Sequence, residues 1–303
     1  MSLQPDPIPN PDSVEIDEHK QSKASRLWVD SLMRIVKSKT SFIGLLIILL
    51  LIVTALLAPL IATHSPTEQH IINNYQSPSA EHWLGTDALG RDIFSRIVYG
   101  SRISIQIGLI AVGISMIIGV TLGGVAGYFG RWIDQVIMRL VDILLAFPSI
   151  LLAIALVAVL GPSLQNAMIA VGIVGIPQFA RIVRSAVLAV KETEYVEAAK
   201  SIGAKNGRIL TQHVLPNCVA PIIVQATLGI GTAILDAAGL SFLGLGAQPP
   251  TPEWGAMLSD GRAALQNAPW VVAFPGVAIF LVVLGFNLFG DGLRDALDPR
   301  LKE

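Results

Sequence analysis

Charged residues are scarce in this chain of 303 residues. Only 14% of them are charged, 52% are hydrophobic, and the mean hydropathy is +0.63. An average soluble domain contains about 25% charged residues, so this chain has too few to cover a surface in contact with water. The composition therefore indicates an integral membrane protein, and no nucleic-acid partner is expected.

Cysteine is almost absent. Cys218 is the only one, which excludes an internal disulfide and a metal site built from cysteines. His64, His70 and His82 share one polar segment at wide spacings that do not match a zinc motif. We therefore predict a solvated loop there and no metal site.

Sequence motifs of catalysis are also missing. The chain has no phosphate-binding loop of the form GxxxxGK[ST]. It has no serine–histidine arrangement and no pair of carboxylates on one predicted face. We predict that it has no catalytic residues and holds no cofactor.

Long apolar runs, by contrast, are abundant. A bilayer core of about 30 Å is crossed by roughly 20 helical residues, and six segments meet or approach that length. Pro148 is expected to kink the third of them. The predicted fold is an all-α integral membrane protein with six transmembrane helices, at 41–62, 103–127, 143–160, 167–190, 218–240 and 271–290.

The distribution of Lys and Arg predicts how the chain is oriented, because these residues accumulate on the cytoplasmic side of a membrane. With the N-terminus inside, seventeen of the 21 lie on the cytoplasmic side and four outside. The seventeen are six in the N-terminal segment, two after the second span (Arg131 and Arg139), six in the fourth-to-fifth loop counted from Arg181, and three in the C-terminal tail. Both termini are therefore predicted to be cytoplasmic. The cytoplasmic parts are an acidic flexible tail (1–22), an amphipathic basic helix (23–40), a loop between the fourth and fifth spans (191–217) and a C-terminal tail (291–303). The outer parts are 63–102 and 244–270.

The 191–217 loop, called the helical loop below, has the pattern of two short amphipathic helices. Tyr195, Ala198, Ala199 and Ile202 recur at helical spacing, and Gly203 follows where a helix often stops. A second stripe follows, and Asn206 is predicted to cap its helix; the stripe consists of Ile209, Leu210, His213 and Val214. The physics leaves two readings about equally open: a loop floating in lipid headgroups, or a helix docked on another protein.

The stretches "EAAKSIG" and "HVLPN" in this loop resemble the EAA…G signature of the inner-membrane permeases of ABC importers. The resemblance implies that the loop is a coupling helix seated in a cleft of a cytoplasmic ATPase, which would bind the ATP and magnesium. The residues matching the signature are Glu197, Ala198, Ala199, Gly203, His213, Leu215, Pro216 and Asn217.

Three further stretches look like those of the peptide and nickel uptake permeases: "HWLGTDALGRDIFSRIVYGSR", "GLGAQPPTPEWGAMLSDGR" and "FNLFGDGLRDALDPRLK". The resemblance implies an ABC permease domain over 103–290 in a bacterial inner membrane. It also implies a homologous second permease, one or two ATPase subunits, and a periplasmic or lipid-anchored binding protein. Peptides are the leading substrates, and nickel, haem or glutathione are the alternatives within the family.

Several residues in these regions have both a structural and a functional interpretation. Asp236, Gln225, Gln106 and Asn287 are polar residues within spans and either line a pathway or form packing hydrogen bonds. The outer stretch with Pro249, Pro250, Pro252 and Trp254 cannot be regular helix in its proline part, and it suits a headgroup anchor or a docking surface for the binding protein.

Two more predictions concern the second span: how it packs and where its helix begins. Gly119, Gly123 and Gly127 form a ridge on the second span that lets another helix approach closely, either within the chain or on a second permease. Thr86 or Asp87 is expected to cap the helix that leads into this span.

Two rival functions remain open at this point. An ion-coupled carrier working alone should show intramembrane carboxylates, broken helices and an internal repeat, and Asp236 is the only sign of these. A membrane scaffold would need no pathway.

Overall fold

The computed structural model describes residues 38–297 of the chain. The predicted 1–22 tail, the 23–37 part of the predicted basic helix and the 298–303 end of the C-terminal tail lie outside the described residues. Within the described range the chain forms helices and no strand, apart from one isolated bridge between Thr86 and Asp92. The predicted all-α class is confirmed.

Eleven α-helices make up the described part of the chain. They are α1 (Lys39–Leu56), α2 (Ala58–Ile61), α3 (Ile93–Phe129), α4 (Arg131–Leu145), α5 (Ser149–Leu160), α6 (Leu164–Val190), α7 (Glu194–Ser201), α8 (Asn206–Arg208), α9 (Val219–Phe242), α10 (Trp254–Gly261) and α11 (Trp270–Leu297). Short 3₁₀ turns at Ile71–Asn73, Leu215–Cys218 and Arg262–Ala264 and a π-helical stretch at Ile209–Val214 complete the regular structure.

Five of these helical stretches are long and apolar enough to cross a membrane, and α4 with α5 forms a sixth candidate that is bent by 91°. The bend follows from Pro148, which has an extended backbone (φ −55°, ψ 130°) and stands immediately before α5. The ring of proline clashes with a continuing helix and its nitrogen has no hydrogen to donate. The predicted kink in the third span is therefore a sharp break between two helices.

The second span starts earlier than predicted. α3 begins at Ile93 rather than at 103, so it includes ten residues that were predicted to belong to the outer segment. The expectation that Thr86 or Asp87 caps this helix is wrong. Asp92 is the cap, and its Oδ2 accepts the backbone N–H of Ser95 at 2.8 Å. The cap satisfies one of the N–H groups that the first turn of a helix leaves unpaired.

The glycine ridge on α3 packs against α6 within the same chain. A Cβ added at Gly127 would lie 3.0 Å from the backbone oxygen of Arg184, and one at Gly119 would lie 2.9 Å from the oxygen of Ile176. A Cβ at Gly123 would overlap the backbone oxygen of Ala180. Only glycine permits this approach, so the ridge serves internal packing.

The Gly123→Ala substitution is expected to destabilise the chain by about 1–3 kcal/mol, the usual range for overpacking a tight interface. The matched control is Gly113→Ala on the same helix, because an added Cβ at Gly113 meets nothing within 4 Å. Thermal unfolding of the two purified variants in detergent checks the prediction. A lowered midpoint for both variants, or for neither, would contradict it.

The remaining long helices pack around α9, which contacts α3, α6 and α11, while α1 packs against α11. Many large apolar side chains of α1 point away from the bundle, including Leu46, Leu50 and Leu56, which are 58%, 64% and 70% exposed. Such exposure suits a helix surrounded by lipid tails rather than by water.

Candidate functional site

The helical loop begins with α7, which ends as the sequence predicts. Gly203 has a φ of +79°, a left-handed conformation that favours glycine. The N–H of Gly203 donates to the carbonyl of Lys200 at 3.0 Å, and the N–H of Ala204 donates to that of Ala199 at 3.1 Å. Together these bonds form a Schellman C-cap.

The predicted apolar stripe of α7 divides between two faces. Ala199 is buried together with Val196, whereas Tyr195, Ala198 and Ile202 are exposed. Ile202 is 85% exposed. The helix lies on the bundle with positions 196 and 199 turned inward, so Ala199 is the member of the stripe that the bundle covers, and the stripe as a contact face for a partner stays a prediction. The outward face, with Glu197 beside Ala198, has no covering within the described residues.

The second half of the loop continues directly into the long helix α9. Ile209, Leu210 and Val214 are buried as predicted. The chain then runs through the turn at Leu215–Cys218 directly into α9, and Asn206–Phe242 forms one helical stretch. Asn206 stands inside α8 rather than at its cap, and its side chain accepts a hydrogen bond from the Tyr128 hydroxyl at 3.1 Å.

One apolar cluster joins the helical loop to the bundle. Its buried residues are Val183, Val187, Val196, Ala199, Ile209, Leu210, Val214, Cys218 and Ile222. The cluster combines side chains from α6, α7, the π-helical and 3₁₀ stretches that follow α8, and the first turn of α9. Because densely packed interiors transmit displacement, a force applied to α7 would reach two membrane helices. Of the remaining signature residues, His213 and Leu215 are half-buried and Pro216 and Asn217 are exposed.

A second feature is a cavity of about 150 Å³ among the membrane helices. Asp236 and Gln225 line it, together with Gln178, and the side-chain amide of Gln225 donates to Gln178 Oε1 at 3.1 Å. No hydrogen bond or ion pair engages the Asp236 carboxylate within residues 38–297, and its two interpretations, pathway lining and packing, stay predictions. Gln106 and Asn287 are exposed and lie outside this cavity.

The opposite end of the bundle carries a polar cap, formed by residues 63–92 and 244–269. Asp87 is its centre: Oδ2 accepts Nε of Arg91 at 2.6 Å, and Nε of Arg96 lies 3.7 Å away. All three side chains are nearly fully buried. Arg91 also donates to Asp260 at 3.1 Å, which ties the two parts of the cap together. The Thr86–Asp92 stretch is thus a folded polar core rather than a solvated approach to a helix.

The proline-bearing stretch of the cap only partly fits a surface for a partner. Pro249 and Pro250 are exposed and Pro252 is half-buried. Trp254, however, is 2% exposed, and its indole N–H donates to the carbonyl of Ile97 at 3.1 Å. The interpretation of Trp254 as a headgroup anchor or docking residue is therefore wrong, because it packs against α3.

A buried carboxylate starts the helix that follows. Glu253 accepts the N–H groups of Gly255 at 3.0 Å and Ala256 at 2.8 Å and so caps α10. Burial raises the pKa of Glu253, and these two hydrogen bonds partly oppose the shift. Sequence reasoning missed this cap, although Glu253 directly before a helix start is a recognisable signal.

The cap also corrects the prediction for one of its histidines. His82 is 3% exposed rather than solvated, and together with His64 and Asp92 it forms a group with the spacing of metal ligands. Local spacing gives no sign of it, since the three residues are separated by 18 and 10 positions.

Comparison with known proteins decides the family. The model described as the binding-protein-dependent transport system inner membrane component matches residues 119–303, and that of the N-terminal transmembrane domain of oligopeptide transport permease C matches residues 26–78. The chain belongs to the family of binding-protein-dependent transport permeases. Its resemblance in the EAA…G region is thereby confirmed, and the family is one of transport subunits.

Known transport proteins are similar to this permease over nearly its whole length. It is 58% identical to the dipeptide transport system permease protein DppC of Alkalihalophilus pseudofirmus, over 98% of this chain and 97% of that protein. It is 49% identical to the glutathione transport system permease protein GsiD of Escherichia coli O6:K15:H31, over 98% and 95%. A chain from a structure of the MetNI methionine ABC transporter in an inward-facing conformation shares its fold, with a TM-score of 0.56 and 21% identity over 67% of this chain and 97% of that one.

Proposed function

We propose that this chain is a permease subunit of an ABC importer that carries di- or oligopeptides across the bacterial inner membrane. The 58% identity to a dipeptide permease over nearly the full length supports the substrate class. The observation that carries the mechanism is the helical loop: an uncovered outer face of α7, backed by an apolar cluster that reaches α6 and α9.

The proposal places the helical loop and both termini in the cytoplasm. The excess of Lys and Arg supports this orientation. In the structure Asn217 of the loop and Arg294 and Leu297 of α11 line one cavity, so the loop and the end of α11 lie at the same end of the bundle. The polar cap, at the other end, then faces the periplasm, where Pro249 and Pro250 are available to a binding protein.

The outer face of α7 is proposed to dock on a cytoplasmic ATPase subunit. Ala198 lets a partner approach closely, while Tyr195 and Ile202 offer apolar contact and Glu197 a charge. The downstream half of the signature is proposed to extend the same contact. Its members are His213, Leu215, Pro216 and Asn217, of which the last two are exposed. ATP and magnesium would be bound by the ATPase, and closure of that partner would move α7 with α6 and α9 as one body.

Transport then requires a pathway beside α9. The cavity with Asp236, Gln225 and Gln178 supports it, because an unpaired carboxylate within a membrane helix is costly unless it faces protein, water or a ligand. A homologous second permease would complete the pathway. The Asp236 carboxylate is available to the amino group of a peptide.

Uptake by whole cells tests the substrate and the transport class together. A strain lacking this gene is expected to lose uptake of a labelled dipeptide, and the plasmid-borne gene to restore it. Retained dipeptide uptake with lost glutathione, nickel or haem uptake would overturn the peptide assignment. Transport by the chain alone in liposomes, driven by an ion gradient, would instead support a carrier.

The Asp236→Asn substitution is expected to reduce peptide uptake about tenfold or more while leaving the amount of assembled complex unchanged. An amide keeps the size of the side chain but loses its charge, and a lost charge-assisted contact is worth about 1.5–3 kcal/mol. Asp291→Asn serves as control, because it makes the same change at a side chain that is 66% exposed and lies outside the cavity. Initial uptake rates measure the effect. Normal uptake by Asp236→Asn would remove this residue from the pathway.

A further inference from the structure

Three potential metal ligands meet in the polar cap: His64, His82 and Asp92. Nδ1 of His82 lies 3.0 Å from Asp92 Oδ1, and Nδ1 of His64 lies 3.9 Å from the same oxygen. The two imidazole rings have centroids 4.7 Å apart and are tilted by 35°. One ligand atom from each residue lies within 4.8 Å of the other two.

Among residues 38–297, no lysine or arginine pairs with the carboxylate of this cluster. The Asp92 side chain is 1% exposed, and within the described residues its ion-pair partners are the two histidines, which are charged only when protonated. The nearby arginines of the cap are directed to Asp87 and Asp260 instead. Buried carboxylates are normally paired with a cation or coordinate a metal.

We propose that His64, His82 and Asp92 bind a divalent transition metal ion of the Zn²⁺ type. Two ligands about 2.0–2.1 Å from a tetrahedral ion lie roughly 3.3 Å apart, and the two distances to Asp92 Oδ1 fall on either side of that value. Two imidazole nitrogens with one carboxylate suit zinc and its neighbours, whereas calcium and magnesium require oxygen ligands. Three protein ligands leave the fourth position to water.

The surroundings hold these ligands in place. Asp92 Oδ2 accepts the N–H of Ser95, and Oδ1 forms a hydrogen bond with His82 Nδ1. His64 Nδ1 lies 3.9 Å from the same Oδ1 and 3.0 Å from Thr63 Oγ1, which holds the ring beside the cluster. The N–H of His64 donates to Ser95 Oγ at 3.0 Å and so fastens its backbone to the first turn of α3. Partners of this kind orient metal ligands and tune their basicity. The His64 side chain is 32% exposed, which provides a route for the ion.

The site would join two parts of the chain that are distant in sequence. His64 follows the first span and α2, whereas Asp92 caps α3. A bound ion would clamp the end of the first span to the start of the second and stabilise the cap. His82 and Asp92 lie between the stretches that the two family models match. The inference concerns metal binding and does not depend on the transported substrate.

Cobalt binding tests the site in the purified complex, with an affinity tag that contains no histidine. After treatment with a chelator, Co²⁺ is titrated and the visible absorption of four-coordinate cobalt is recorded. We expect a signal that saturates at one ion per permease chain and is displaced by Zn²⁺ but not by Ca²⁺. Zn²⁺ should also raise the unfolding midpoint, because a ligand that binds the folded state stabilises it.

Matched histidine variants decide between this site and other ligands in the complex. His64→Ala should weaken cobalt binding at least about tenfold, since even loss of an outer partner of a metal ligand costs 10–100-fold. It retains the His82–Asp92 hydrogen bond, so folding should persist. His70→Ala is the control, because His70 is exposed on the same segment and contacts Glu68 instead. Unchanged binding by His64→Ala, equal weakening by His70→Ala, or no cobalt signal in the wild type would each overturn the proposal.

Discussion

The Gly203→Val variant is expected to assemble normally but to lose peptide uptake about tenfold or more. The φ of +79° at this position is a conformation that costs an L-residue roughly 1–2 kcal/mol, and a β-branched residue is a genuine outlier there. A change of 1.4 kcal/mol shifts an equilibrium about tenfold. The strain is relieved if the C-cap of α7 opens, which would displace the face proposed to contact the ATPase.

Gly207→Val is the matched control for this experiment. Both glycines lie in the helical loop, both are exposed, and an added Cβ at either meets nothing within 4 Å, but only Gly203 has a positive φ. ATP hydrolysis and uptake should be measured on the same reconstituted complexes. Hydrolysis that continues without uptake in Gly203→Val indicates uncoupling. Equal uptake by the two variants would refute the coupling role of this turn.

The Asp87→Ala substitution is expected to lower the stability of the chain by about 3–5 kcal/mol, the cost of removing one partner from a buried ion pair. Arg91 and Arg96 would remain buried without their shared carboxylate, since Arg91 is 3% and Arg96 1% exposed. The backbone N–H groups of Leu89 and Arg91 would lose their acceptor as well. Thermal unfolding in detergent, followed by the remaining monodisperse fraction, measures the effect.

Asp260→Ala provides the comparison within the same network. Its side chain is 41% exposed and contacts Arg91 at 3.1 Å. Because the Asp260 carboxylate is partly solvated and Arg91 keeps its bond to Asp87, the unfolding midpoint should fall clearly less than in Asp87→Ala. If both variants lower the midpoint equally, burial of Asp87 is not what makes the cap stable.

Local signals predicted part of the proposed coupling site. Gly203 marks the end of α7 because a left-handed residue at a helix C-terminus favours glycine. The buried positions 209, 210 and 214 follow from helical spacing. The sequence could not predict which face of α7 is buried. Val196 on the inner face and Ala198 on the outer face are both apolar, so only the packing of neighbouring helices decides which of them is covered.

The cap was the least predictable region. Its polar residues have the composition of a solvated loop, and sequence gave no reason to bury Arg91, Arg96 or His82. They are buried because residues separated by up to 169 positions, such as Arg91 and Asp260, pair in space. Trp254 illustrates the same point, since an aromatic residue after three prolines is accommodated against α3 rather than at the surface.

The sequence by itself determined the class of this protein, the number of apolar segments that can cross a membrane, the stop at Gly203 and the family resemblance. These depend on composition, on the length that a bilayer requires and on periodicity within a few turns, all of which are local. Tertiary structure alone decided that the glycine ridge meets α6, that Asp236 lines a cavity, and that His64, His82 and Asp92 converge. Such contacts arise when helices distant along the chain pack together, and no local pattern specifies which side chains will then meet.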